Sequence, residues 1–375
     1  MRLPRNPMRA SSVTTSLLLA AALAGCAGSD VPPGTSSDTV YVDLPQRQTT
    51  VSGIVYDPEV FFFSSKTFPS FPPPEGEEPF PPPPDALFDG TPYLTRAAAL
   101  GAKVSVLDGD TVVSSSDPAA FNGSWQVTGV PTSDTIEYQV RAEPPAEGLV
   151  LGAPDIFSEP DYLPVPVAKY YPTTTLRPIV ASTTSCQTQV ATVAGEAGAL
   201  GAVANLRTRS GTPTTPSSLV SGSGGVVLVW TYAPSMVLYF FTSPADGIAA
   251  ETNQGTLYPI DWDLPSKQLP GQTAMGFVAK NPGGISSMGY YALVLPKGST
   301  EPVSLTFTDT VTTPEGEEPG PGGPRPWLAP SFTGRVGPGV SVLRLHNESS
   351  MPPPPEDPYA EPTPPPDMSW LCMKW

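Results

Sequence analysis

The sequence predicts an all-β protein: two β-sandwich-like domains with long proline-rich loops and disordered termini. Three observations carry that expectation. Short stretches alternate apolar and polar residues with period two, which puts one face of a strand in a core and the other in water. Turn signals such as Asp108-Gly109-Asp110 separate these stretches, as in a sandwich. Finally, 52 prolines and 34 glycines among 375 residues, with only 14% charged residues, favour short strands and many loops.

The chain opens with three positive charges, Arg2, Arg5 and Arg9, and no acid before Cys26. An apolar run from Val13 to Leu23 follows, too short to span a bilayer and of the length of a signal-peptide core. Leu23-Ala24-Gly25-Cys26 then leads small residues into a cysteine. This resembles the lipobox of bacterial lipoproteins. The resemblance implies a signal peptide over residues 1–25 and lipid attachment at Cys26. Ala27, where an aspartate would retain the protein at the inner membrane, implies the outer membrane, facing the periplasm or the surface. An ordinary secretory signal cut nearby is the alternative. Each buried CH₂ of an acyl chain contributes roughly 0.8 kcal/mol, so more than one chain makes a lasting anchor. Residues 26–48 are polar, contain Pro32-Pro33 and read as a tether.

The full chain has 19 Lys+Arg and 35 Asp+Glu; losing residues 1–25 removes three arginines and no acid, leaving 16 against 35, a net −19. Such a surface repels phosphate backbones, which argues against nucleic-acid partners. It also repels anionic headgroups, as suits a body held off the membrane by a tether. After Cys26 only Cys186 and Cys372 remain. In an oxidising compartment they are a possible disulfide, though two separate free thiols fit the sequence equally well.

The first domain is expected over residues 49–143. Val51 to Tyr56 opens a strand, Ala102, Val104 and Val106 alternate with polar neighbours, Trp125 and Val127 do the same, and Ile136, Tyr138 and Val140 close the set. In order, Gly53-Ile54-Val55-Tyr56-Asp57, Gly101-Ala102-Lys103-Val104-Ser105-Val106, Gly123-Ser124-Trp125-Gln126-Val127 and Val130-Pro131 before Ile136-Glu137-Tyr138-Gln139-Val140 resemble the carboxypeptidase regulatory-like domain, a prealbumin-like sandwich. The resemblance implies structure or binding and no peptidase activity. An insertion at 59–95, rich in proline and phenylalanine, interrupts the pattern, and its Pro74-Glu75-Gly76-Glu77-Glu78-Pro79 recurs as Pro314-Glu315-Gly316-Glu317-Glu318-Pro319. Proline runs favour the polyproline II form and stay out of central sheets.

Residues 144–185 read as an interdomain segment. A second all-β domain is expected at 186–348, where Val226 to Tyr232 is apolar on both faces, as in a central strand, and Tyr290–Leu295, Val303–Thr308 and Val340–His346 follow. Gln187 to Leu206 is ambiguous between strand and helix, and residues 349–375 form a proline-rich acidic tail.

No catalytic set stands out. His346 is the one histidine, without an accompanying G-x-S-x-G elbow. Zinc lacks a set of soft ligands, and neither phosphate-binding glycine loop is present. Asp108 with Asp110, and Asp261 with Asp263, are turn carboxylates that could meet calcium but are explained by turn chemistry. No catalytic residue, metal or cofactor is therefore expected. The expectation is a lipid-anchored cell-envelope module, structural, adhesive or ligand-binding, meeting membrane lipid through Cys26 and an envelope protein or polysaccharide. The alternative is a carboxylate-dependent glycoside hydrolase or a carbohydrate-binding module, with Trp125, Trp230 and Trp262 as candidate stacking surfaces.

Overall fold

A computed structural model of the chain describes residues 47–67, 96–133, 135–151, 163–181, 185–233, 244–265, 269–311 and 327–349. They form an all-β fold to which short helices are added. The first half contributes β1 (Gln48–Tyr56), helix α1 (Pro58–Thr67), β2 (Lys103–Asp108), β3 (Thr111–Ser115), β4 (Ser124–Pro131), β5 (Tyr138–Glu143), β6 (Thr173–Ile179) and β7 (Ser185–Thr192). Helices α2 (Ala199–Arg209) and α3 (Pro216–Gly222) follow. Then come β8 (Gly225–Tyr232), β9 (Ile248–Thr252), β10 (Thr256–Trp262), β11 (Phe277–Ala279), β12 (Tyr290–Leu295), β13 (Val303–Asp309), β14 (Ser331–Gly334) and β15 (Val340–His346).

A nine-stranded sheet ordered β11-β10-β12-β8-β15-β6-β5-β2-β3 forms the middle layer. Residues paired across strands share a face, so register traces the two sides. Val140 pairs with Thr175, Thr175 with Val342, Val342 with Leu228 and Leu228 with Ala292. On this face the sheet β7-β1-β4 covers one end, burying Val51, Val55, Trp125 and Val127 against Val104, Val106 and Val140. The three helices cover the other end, over Leu228, Trp230, Tyr290 and Ala292. On the opposite face the sheet β9-β13-β14 buries Ile248, Val303 and Leu305 against Val227, Val229, Leu293 and Leu343. Two sandwiches thus share one sheet and use opposite sides of it.

That arrangement revises the domain reading. The stretch 144–185, read as an interdomain segment, supplies β6, which pairs antiparallel with β5 and parallel with β15. Its buried residues are Thr173, Thr175, Leu176 and Ile179, and the threonines with Pro178 dilute the apolar alternation that would have announced a strand. Three pairings, β1 with β7, β8 with β15 and β6 with β15, are parallel, beyond the antiparallel pattern that alternation suggests. Elsewhere alternation reads true: Trp125 and Val127 are buried while Ser124, Gln126 and Thr128 are exposed. β8 is buried along its whole length, as its apolar run requires. Gln187 to Leu206 resolves into the end of β7 followed by α2.

The start of the expected insertion is α1, whose Phe62 and Phe63 lie in the core. Phe62 meets Trp230, Trp262 and Phe277 at centroid distances of 5.8, 5.6 and 6.1 Å. An element inserted in the first sandwich is therefore packed against strands of the second half. The rest of the insertion, both acidic repeats, the signal peptide and residues 350–375 of the acidic tail lie outside the described residues.

Gly123 shows how tightly β1 is held. Its φ is +76°, its carbonyl accepts from the Val55 amide at 2.8 Å, and a Cβ there would stand 2.5 Å from the Val55 oxygen. The left-handed backbone alone costs an L-residue roughly 1–2 kcal/mol. Gly123→Ala should lower the urea midpoint of unfolding by at least that equivalent; an unchanged midpoint would show that the turn relaxes freely.

Candidate functional site

Three polar assemblies stand out among the described residues. The first begins where β1 turns into α1. Asp57 caps the helix, its Oδ1 accepting from the amides of Glu59 at 2.8 Å and Val60 at 3.2 Å. Glu59 reaches across to α2, and its Oε1 accepts from the Ala199 amide and from the Tyr290 hydroxyl, each at 2.6 Å. Gly198, which precedes α2, offers no capping side chain. Glu59 takes that role from another helix and lies at the positive end of the α2 dipole. Its Oε2 has no hydrogen-bond partner and rests against Gly198, where a Cβ would fall 1.7 Å away.

Asp57 and Glu59 are 0% and 1% exposed, so neither meets solvent. Burial raises the pKa of both carboxyls, and for Glu59 the charge of Asp57 raises it further, against the hydrogen bonds from Tyr290 and Ala199. The Tyr170 hydroxyl, directed at Asp57, opposes the rise there, as do the two capping amides. The pair favours sharing a proton over carrying two buried charges. Around it Trp230 stacks on Tyr290 at 3.7 Å. The Arg344 guanidinium lies 5.9 Å from the Tyr56 ring and 5.0 Å from that of Tyr232. This assembly fastens the β1–α1 turn to α2 and β12. Its enclosure suits structure rather than contact with a substrate.

The second assembly surrounds Ser217 in α3. Its Oγ receives a hydrogen bond from Lys169 Nζ at 3.1 Å, lies 2.9 Å from the Tyr171 hydroxyl and donates to Glu196 Oε1 at 3.2 Å. Serine beside lysine is the composition of a nucleophile with its base. Here Glu196 accepts from both Ser217 and Tyr171. The serine proton is thus directed at Glu196, and the lysine donates to the serine oxygen from the other side. The cluster pins α3 to Tyr171, whose backbone pairs antiparallel with Ala194.

The third is a groove of about 530 Å³ between the end of α2, α3, the start of β10 and the end of β12. Arg207 and Lys297 stand in its lining with the hydroxyls of Thr214, Ser218 and Ser223, over an apolar floor that includes Leu219 and Tyr258. None of its described lining residues is a carboxylate. Neither cation has an ion-pair partner among the described residues. Sequence reading missed this groove because its members come from segments far apart in the chain and none belongs to a motif.

The residues singled out from sequence fall elsewhere. Cys26 and Cys372 lie outside the described residues, and Cys186 stands in β7 opposite Val51. Trp125 and Trp230 are core residues, and Trp262 donates its indole N–H to the Met275 carbonyl at 2.7 Å. His346 stacks on Tyr232 at 5.2 Å. Asp261 pairs with Lys280 and accepts from the Ser287 amide, while Asp263 accepts from the Leu264 amide. No group of three or more potential metal ligands occurs among the described residues, and no described helix is long and apolar enough to cross a membrane. No protein family, curated protein or solved structure matches this chain.

Proposed function

We propose that this chain is a lipid-anchored protein of the cell envelope that binds a ligand without catalysis, held at the outer membrane through acylated Cys26. The observation that carries the ligand-binding reading is the groove beside α3: concave, lined by cations and hydroxyl-bearing residues, and without a carboxylate among its described lining. The closely placed acids Asp57 and Glu59 sit instead in the core, where they serve packing. This favours binding over the alternative of glycoside hydrolysis by paired carboxylates, which need a sugar between them. The order of strand motifs around Trp125, similar to the carboxypeptidase regulatory-like domain, supports a non-catalytic role for the first sandwich.

Two measurements test the reading. In cells fed a labelled fatty acid, the protein should carry label and sediment with membranes, whereas Cys26→Ser should lose the label and become soluble. Wild-type chain that stays unlabelled removes the anchor from the proposal. Purified full-length chain in detergent should retain isolated envelope polysaccharide and release no new reducing ends from it. Release of reducing ends that stops with a single carboxylate substitution would establish the hydrolase instead.

A further inference from the structure

Resting on that ligand-binding reading, we infer that the groove beside α3 takes an acidic saccharide, with Arg207 and Lys297 meeting its carboxylate and the wall hydroxyls meeting its ring hydroxyls. The argument begins with scarcity. Acids outnumber bases 35 to 19 in this chain, yet both cations of the groove lack an acidic partner among the described residues. In such an excess of carboxylates, two cations in one concavity with no acidic partner among the described residues favour a local reversal of sign, and clefts focus the potential of the charges that line them.

The hydroxyls define the rest of the ligand. Thr214 Oγ1 donates to the Thr212 carbonyl at 2.8 Å, Ser218 Oγ to the Thr215 carbonyl at 3.0 Å and Ser223 Oγ to the Val220 carbonyl at 3.2 Å. With those protons used inside the protein, Thr214 and Ser223 keep acceptor capacity, while Ser218 Oγ already accepts from the Thr215 amide at 2.9 Å. Inorganic phosphate, with few O–H groups at neutral pH, offers them fewer donors than a sugar does. A ligand rich in O–H donors suits them. The apolar floor fits the C–H face of a sugar ring, and the volume is in the range of sites that hold a small ligand. An anion on a hydroxylated, partly apolar body satisfies cations, acceptors and floor together.

The test uses full-length chain in detergent and three probes of one concentration series: trigalacturonate, galactotriose and inorganic phosphate. Calorimetry should show trigalacturonate binding at least ten-fold more tightly than the other two, with affinity falling as salt rises. Lys297→Gln, an exposed turn substitution that leaves folding alone, and Arg207→Gln should each weaken trigalacturonate about ten-fold, with melting curves confirming intact fold. Equal binding of galactotriose, insensitive to salt and to both substitutions, overturns the acidic-sugar assignment while the ligand-binding reading stands. Phosphate binding as tightly as trigalacturonate reduces the site to a general anion site and likewise overturns it. Envelope polysaccharide retained without loss by the double variant moves the ligand away from this groove. Failure of every probe and of the polysaccharide removes both inferences together.

Discussion

Alanine at position 198 is expected to cost this protein on the order of 4 kcal/mol or more, enough to unfold a marginal domain. The added methyl carbon would lie 1.7 Å from Glu59 Oε2 and 2.1 Å from its Cδ. Glu59 cannot swing aside, because it is buried and tied to the Ala199 amide and the Tyr290 hydroxyl. Moving it uncaps α2 and strands two buried donors, each a loss of about 1–3 kcal/mol, on top of the overlap. Gly222, at the end of α3, is the matched control: nothing lies within 4 Å of its Cβ position. Gly222→Ala should change stability by no more than about 1 kcal/mol, and in the favourable direction. Urea unfolding of both variants decides the matter. Similar midpoints for the two would mean that Glu59 is not the fixed strut described.

A second large effect concerns pH. Burial, followed by the charge of Asp57, lifts the Glu59 carboxyl from its ordinary 4.5 to about 8. The folded state therefore holds a proton that the unfolded chain releases near its ordinary carboxylate range. Below that range both states are protonated and this contribution to stability is complete. As pH rises from about 4.5 towards about 8 the unfolded state gains by ionising, and the folded state loses ground until it ionises too. At roughly 1.4 kcal/mol per unit, the loss is on the order of 5 kcal/mol. Unfolding free energy should fall across this interval in the wild type and much less in Glu59→Gln, whose amide oxygen can still accept from Ala199 and Tyr290. A wild-type profile as flat as that of Glu59→Gln would place the pair in contact with water after all.

Strands were legible wherever one face meets a core and the other water. β4 and β5 announce themselves through Trp125, Val127, Tyr138 and Val140, and β8 through an unbroken apolar run. β6 was not legible, because buried threonines look like loop residues until a neighbouring strand satisfies their backbone. α1 was hidden for a different reason: Phe61-Phe62-Phe63 precedes a proline-rich stretch, and composition there outweighs the Asp57 cap. The buried acids were invisible as a pair because what matters, the amide of Ala199, lies 140 residues away. The groove was illegible for the same reason. Residues such as Arg207 and Lys297 mean nothing singly, and only the path of the chain brings them to one hollow.

The continuous middle sheet bears on how this gene could be cut or shuffled. A fragment ending after position 143 would leave β5 without β6 beside it, presenting a bare row of amides and carbonyls to any other chain in solution. The complementary piece would carry the mirror-image scar. Neither half is a cassette that could be transplanted or duplicated by itself, so recombination within this stretch meets a barrier that backbone pairing alone would raise.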